Sequence, residues 1–291
     1  MVSYGNIEII ELMGALEHIE FEIQLTGILS VSLFAPSDPI PNPFATQVAP
    51  RIAGQYHQHL FCVRIDPMVD GLKNSVLESD IIPLPKADIG SDDNYAGNAF
   101  IVQENIIKTE KDGGRDYDHA KERRWSIINP FRKHYASKKN TSYVLGFRGH
   151  TSTLMAKPKS WVHQRAMFAS KSLWVVKEAN DDVEGRAWPA GRYVPQSNGT
   201  PEDSISNWAT GDESVEEQDI VVFATLGKYN IFMTSLVNLT RFRMPVESVR
   251  LTLKPVHFFD VNPALDVQDA NDSLSTLAFG AEGLIRNHCC D

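Results

Sequence analysis

The stretch His57-Gln58-His59-Leu60-Phe61-Cys62-Val63-Arg64-Ile65 alternates with period two, the pattern of a strand that turns one face inward. Its two imidazoles, separated by one residue, project from the same face, about 7 Å apart at the backbone. A single ion between them can take a nitrogen from each, and neutral imidazole suits Cu(II) and Zn(II). The motif alone leaves three readings open: a metal site that takes a third ligand from a distant strand, a hydrogen-bonded core pair, or a surface pair.

Working outward, alternation recurs over 20–34, 99–109, 125–128, 172–177, 219–226 and 249–258, in short segments rich in Val, Ile, Phe and Thr. Gly, Pro, Asn and Asp clusters separate them. Helical periodicity is weak; only 118–127 and the first twenty residues fit it. Strands without alternating helices predict a mainly β fold, an antiparallel sandwich or barrel and not a parallel α/β sheet. The polar stretch 180–218 is longer than an ordinary connection and is expected to pack over a surface.

Composition narrows the function classes. The chain has 291 residues, 42% of them hydrophobic, enough for one large all-β unit or two small domains. A formal charge of -9 argues against nucleic acid and against an acidic membrane surface. The basic run Arg132, Lys133, His134, Lys138 and Lys139 reads as a solvated loop face. Cys62, Cys289 and Cys290 make no disulfide framework, and His288-Cys289-Cys290 reads as a frayed tail and not a soft-metal site. The start of the chain has no basic region of the kind that opens a signal peptide, and no uncharged apolar run reaches the ~18 residues of a membrane span. No compartment can be read from the chain; an intracellular one is the expectation. The sequons at Asn140, Asn198, Asn238 and Asn271 matter only in an exported protein.

The longer run from Gln55 to Gly71, which contains the histidine pair, resembles the copper-ligand strand of copper amine oxidases. So do Ile19-Glu20-Phe21-Glu22-Ile23-Gln24-Leu25-Thr26-Gly27-Ile28, Gly97-Asn98-Ala99-Phe100, Ala169-Ser170-Lys171-Ser172-Leu173-Trp174-Val175, Gln218-Asp219-Ile220-Val221-Val222 and the run from Lys254 to Pro263. The order and spacing of these blocks match the family across nearly the whole chain. The resemblance implies the large antiparallel β-sandwich of the catalytic domain, as a single unit over 1–291 with its core at about 19–263 and poorly ordered segments at 1–18 and 267–291. It also implies oxidation of primary amines to aldehydes, with release of ammonia and reduction of dioxygen to hydrogen peroxide.

In that family three histidines hold copper, and a Tyr within Asn-Tyr-Asp/Glu becomes a topaquinone. By resemblance His57 and His59 are the first two copper ligands, and Asn230 stands where the third belongs, in Gly227-Lys228-Tyr229-Asn230. An amide oxygen is a weaker copper ligand than imidazole. The quinone-precursor position is loosely matched by Ile7, and neither Asn-Tyr-Asp nor Asn-Tyr-Glu occurs in the chain. The segment bearing the family's general base is expected to precede Met1. A second, hard-cation site of the family, suited to calcium, maps to Asp66 and to Asp219 with the Ile220 carbonyl. The plainer reading is that Asp66 and Asp70 only shape a turn before Gly71.

These observations imply an amine oxidase by descent, impaired in this chain, with a primary amine and dioxygen as substrates and a homodimer as its assembly. The alternative is a catalytically inactive metal-binding β-sandwich, a pseudoenzyme or a truncated gene product. The abrupt start and the departure over 228–243, both flanked by good matches, are expected to be exon-boundary errors. A zinc hydrolase built on His57 and His59 lacks a third ligand and an adjacent Glu.

Overall fold

The computed structural model describes residues 7–13, 18–25, 30–39, 42–148, 154–179, 186–194, 199, 201–230 and 247–259. Their strands are, in chain order, β1 (Ile7–Met13), β2 (Ile19–Leu25), β3 (Val31–Leu33), β4 (Ala45–Ala49), β5 (Ile52–Gln55), β6 (His57–Ile65), β7 (Ser75–Pro83), β8 (Phe100–Ile106), β9 (Arg124–Lys133), β10 (Asn140–Arg148), β11 (Leu173–Lys177), β12 (Ile220–Asn230) and β13 (Glu247–Val256). Two short helices, α1 (Trp161–Arg165) and α2 (Ile205–Trp208), complete the regular structure with a few 3₁₀ turns.

Alternation of apolar and polar residues builds three antiparallel sheets. The largest has the order β1-β2-β13-β10-β9-β7-β8, the second β11-β12-β6, and the third β3-β5-β4. The first two face each other as a β-sandwich. Every second residue of β11 and β12 (Leu173 and Val175; Ile220, Val222, Ala224 and Leu226) packs against Val76, Trp125, Ile127, Leu145, Val249 and Leu251 of the large sheet. Apolar burial of this kind contributes roughly 1.5–3 kcal/mol per large side chain.

The other face of β12 is buried as well. Val221 and Phe223 pack with Trp174 and Val176 against Ile205 and Trp208 of α2, and the Phe223 and Trp208 rings stack with centroids 6.0 Å apart. A strand covered on both faces tolerates an unbroken apolar run, which is why Ile220-Val221-Val222-Phe223-Ala224 shows no polar position. The described part of the long polar stretch 180–218 therefore packs over a sheet, with α2 as its anchor.

Several expectations are corrected. The 118–127 segment is not a helix: Asp118 caps a 3₁₀ turn at His119–Lys121, Glu122 takes a left-handed conformation with φ 48°, and β9 begins at Arg124. Trp125 and Ile127, two residues apart, share the core face of β9, so cross-strand packing overrides local helix preference. Nor are the first twenty residues helical where they are described, since β1 pairs along its whole length with β2.

β7 and β10 carry no clear alternation in the sequence. On β7 the core-facing positions read Val76, Glu78, Asp80, and both carboxylates are buried. Arg115 Nε donates to Glu78 Oε2 at 2.8 Å and Trp125 Nε1 donates to the same oxygen at 2.9 Å. Arg123 clasps Asp80 with two hydrogen bonds of 2.8 Å. Inward charges neutralised from other elements hide the strand from a hydropathy reading.

By its backbone contacts the chain forms one unit over Met1–Phe258 and another over Phe259–Asp291, of which only Phe259 is described. The expected disordered tail 267–291 and the His288-Cys289-Cys290 motif lie outside the described residues.

Candidate metal centre

β5 ends at Gln55, and the chain passes through Tyr56 directly into β6, so the Gln55 carbonyl is left beside the first histidine. His57 Nδ1 lies 2.8 Å from that carbonyl oxygen. A carbonyl can only accept, so the His57 proton sits on Nδ1 and its Nε2 keeps a lone pair. His59 Nε2 is 3.0 Å from His57 Nε2 and must carry the proton between them. The rings meet edge to face at 76° with centroids 4.8 Å apart. Phe61, the next residue on this face, lies parallel to His59 at 6.4 Å.

The metal reading and the hydrogen-bonded reading of the pair are thus not exclusive, because one geometry serves both. Burial first, and the neighbouring His57 second, hold the His59 imidazole below the usual histidine range. Neutral rings are the form that binds metal. A metal–imidazole bond is about 2.0 Å long, so one ion can reach both Nε2 atoms once the shared proton leaves the line between them. The pair fits copper in its donor chemistry, and His57 and His59 would hold it through their Nε2 atoms.

A complete donor set is another matter. Among the described residues no group of three or more His, Cys, Asp or Glu could hold a metal ion. On the antiparallel ladder of β6 and β12 the backbone of Asn230 stands directly opposite His57, and Lys228 opposite His59. The fold brings position 230 beside the histidine pair, but the residue there is an amide. Ile7, the residue loosely matched to the quinone precursor, lies opposite Leu25 on β1, an edge strand of the large sheet, and its side chain has no phenol to oxidise.

The other end of the same ladder carries Asp66, one residue past β6, and Asp219, one residue before β12. Asp219 Oδ1 is buried with no hydrogen-bond partner, and burial followed by the charge of Asp66 raises its carboxyl above the usual aspartate range. Asp66 is mostly engaged with Arg64, whose Nη1 donates to it at 3.0 Å. The remaining donors of Arg64 reach Glu178 Oε2 at 2.6 Å and the Arg186 carbonyl at 3.2 Å, tying the segment after residue 186 to the histidine strand. Arg186 in turn pairs with the buried Glu110 and lies over the Trp208 ring. Asp70 belongs to the turn: its φ is 51°, Gly71 follows at 133°, and Asn129 Nδ2 donates to the Asp70 carbonyl. The Cys62 thiol, half-buried on the face of β6 away from the imidazoles, is pushed up to about 12 by desolvation and is a poor nucleophile.

Comparison with known proteins bears on this arrangement. The family model described as copper amine oxidase, enzyme domain, matches residues 14–273. Copper amine oxidase 1 of Schizosaccharomyces pombe is 40% identical over 251 residues, which are 86% of this chain and 34% of that protein. The peroxisomal primary amine oxidase of Pichia angusta is 37% identical over 251 residues, covering 86% of this chain and 35% of its own length. Among solved structures, a copper-containing benzylamine oxidase from Hansenula polymorpha superposes with a TM-score of 0.76 at 30% identity, over 89% of this chain and 38% of that one. The chain therefore spans about a third of the length of the curated relatives it matches.

Proposed function

Because this chain belongs to the copper amine oxidase enzyme-domain family, we propose that it serves copper-dependent oxidation of primary amines to aldehydes, with ammonia and hydrogen peroxide as the other products. The observation that carries the reading is the meeting of His57 and His59 through their Nε2 atoms at 3.0 Å on β6. Copper held there supplies a redox-active Lewis acid for the chemistry of dioxygen. The chain's own contribution is preorganisation. The Gln55 carbonyl sets the His57 tautomer, burial favours the neutral form of His59, and Phe61, Val63 and Ile65 carry the same strand face on into the sandwich core.

In this chain the activity is impaired. Asn230 supplies an amide where the family has its third imidazole, and the sequence holds no Asn-Tyr-Asp or Asn-Tyr-Glu from which a quinone could form. A second reading, an inactive metal-binding sandwich, rests on those same two positions. Purified protein loaded with copper under oxygen and treated with phenylhydrazine separates the two: a coloured adduct supports an active quinone enzyme, and no adduct supports the inactive sandwich. Sequencing of the transcript tests whether 228–243 is encoded as written or comes from a misplaced exon boundary.

Two further parts of the reading belong here. Asp66, Asp219 and the Ile220 carbonyl form a hard-cation site, and the buried unpartnered Oδ1 of Asp219 supports it. The chain assembles as a homodimer. Support comes from β8, an edge strand of the large sheet that exposes Phe100, Ile101 and Val102 in succession.

A further inference from the structure

His134 and His257, which no spacing in the sequence links, meet in the fold with ring centroids 6.1 Å apart. His134 opens the turn between β9 and β10; its N–H donates to the Lys139 carbonyl at 2.9 Å and its carbonyl accepts from Lys138 at 3.0 Å. His257 directly follows β13 and leaves the strand in a left-handed conformation, φ 63°. Ser137 joins them. Its backbone N–H donates to His134 Nδ1 at 3.1 Å. Its hydroxyl oxygen accepts from the Lys139 N–H at 3.3 Å and lies 3.2 Å from His257 Nδ1.

A hydroxyl that accepts from Lys139 keeps its own proton to donate, and His257 Nδ1 is within reach of it. His134 accepts through Nδ1 from a backbone N–H, which can only donate, so that nitrogen carries no proton in the contact, while the Ser137 hydroxyl can meet His257 Nδ1 in either direction. A proton placed on His134 Nδ1 displaces the Ser137 N–H and sets a positive ring beside His257. We propose that His134, Ser137 and His257 form a proton-sensitive clasp that holds the 134–139 turn to the end of β13 at neutral pH and releases it on acidification.

The charged and aromatic groups around the clasp agree with this direction. Glu104 of β8 is ion-paired with Lys139 of the turn at 2.7 Å, which spends most of its pull on the lysine. The Tyr135 ring lies 5.0 Å from His134. Burial first, then the neighbouring His134 and Lys139, hold His257 below the usual histidine range against the opposing charge of Glu104. A histidine held down in the folded chain stabilises it above the ordinary histidine range, and that stabilisation is lost as pH falls through the lowered folded value. Two positive rings side by side would also repel one another.

Amide exchange on the full chain, corrected for the intrinsic pH dependence of the rate, reads the clasp at the Ser137 and Lys139 amides. Between about pH 7.5 and about pH 5 these amides are expected to lose about tenfold in protection, the worth of one hydrogen bond each, while the Val222 amide in the buried ladder keeps its own. In the double variant His134→Asn, His257→Asn, each asparagine Oδ1 accepts the same bond without titrating, and protection persists at the lower pH. Unchanged protection in the wild-type chain, the same loss in the asparagine variant, or a parallel loss at Val222 would each overturn the proposal.

Discussion

The backbone of Asn230 stands opposite His57 on the β6–β12 ladder, so the position proposed to close the histidine pair into a three-donor site is beside it along the ladder and 173 residues away in sequence (230 minus 57). Short loops cannot create such a pairing; it is made by the antiparallel register, which runs without a break from His57 to Ile65.

The first prediction concerns that register. Asn230→His is expected to raise Cu(II) affinity by at least about tenfold, and His59→Ala to lower it by about a hundredfold or more, since even outer-shell changes at metal sites cost 10–100-fold. Competitive chelator titration gives the affinities, and electron paramagnetic resonance counts the coupled nitrogens. Equal affinity in all three proteins would remove the histidine pair from the metal site.

The hard-cation reading makes a separate prediction. Calcium in about hundredfold excess over its Kd stabilises a one-site protein by ~2.7 kcal/mol. Thermal unfolding should show an upward shift of a few degrees with calcium, and Asp219→Asn should abolish the shift while leaving the calcium-free midpoint nearly unchanged or slightly higher. The last clause follows from the raised carboxyl of Asp219, whose charge is disfavoured where it sits.

For the core, Trp125→Ala is expected to cost about 3–5 kcal/mol, because the ring is fully buried between the sheets and donates to Glu78. The exposed Tyr95→Ala should stay within about 0.5 kcal/mol. Urea denaturation followed by circular dichroism measures both, and similar midpoints for the two variants would contradict the sandwich core described above.

Acid should act through Asp80. Its hydrogen bonds from Arg123 hold its carboxyl below the ordinary value of 3.8. A carboxylate held down in the folded chain contributes stability that is complete above that ordinary value and is lost as pH falls through the lower folded one. Arg123→Met leaves the buried Asp80 with only the longer ion pair to Lys121 at 3.7 Å, at a cost of up to about 3–5 kcal/mol near neutral pH. The difference between wild type and variant should shrink on acidification below about pH 4 as Asp80 takes up its proton. Stability curves of the two proteins against pH decide it, and a constant difference would show that Arg123 acts by packing alone.

The assembly prediction rests on β8. Sedimentation of the wild-type chain should show a dimer, and a charge placed in the exposed run, Ile101→Asp, should shift it to monomer with little change in far-ultraviolet circular dichroism. A wild-type monomer at micromolar concentration would end the homodimer reading.

Strand character was legible where apolar alternation faced one core: β13 overlaps the marked segment 249–258, with Val249, Leu251 and Leu253 on the core side. It was legible on β12 for a different reason, since its unbroken apolar run reflects cover on both faces. Legibility failed on β7, where Glu78 and Asp80 occupy core-facing positions and read as surface residues. Arg115, Arg123 and Trp125, with Lys121 as a further partner of Asp80, are supplied by other parts of the chain and make those positions tolerable. The contact between His134 and His257 was equally invisible, because it depends on where β13 ends beside the β9–β10 turn.

The sequence by itself determined the antiparallel β class, the family, and the pairing of two imidazoles on one strand face, because a two-residue repeat is a local property of extended backbone. Tertiary structure alone decided what meets what: position 230 opposite His57, arginines over buried carboxylates, and Ser137 between two distant histidines. Those contacts depend on strand order and register, which are chosen by the burial of whole sheets and not by any neighbouring residue.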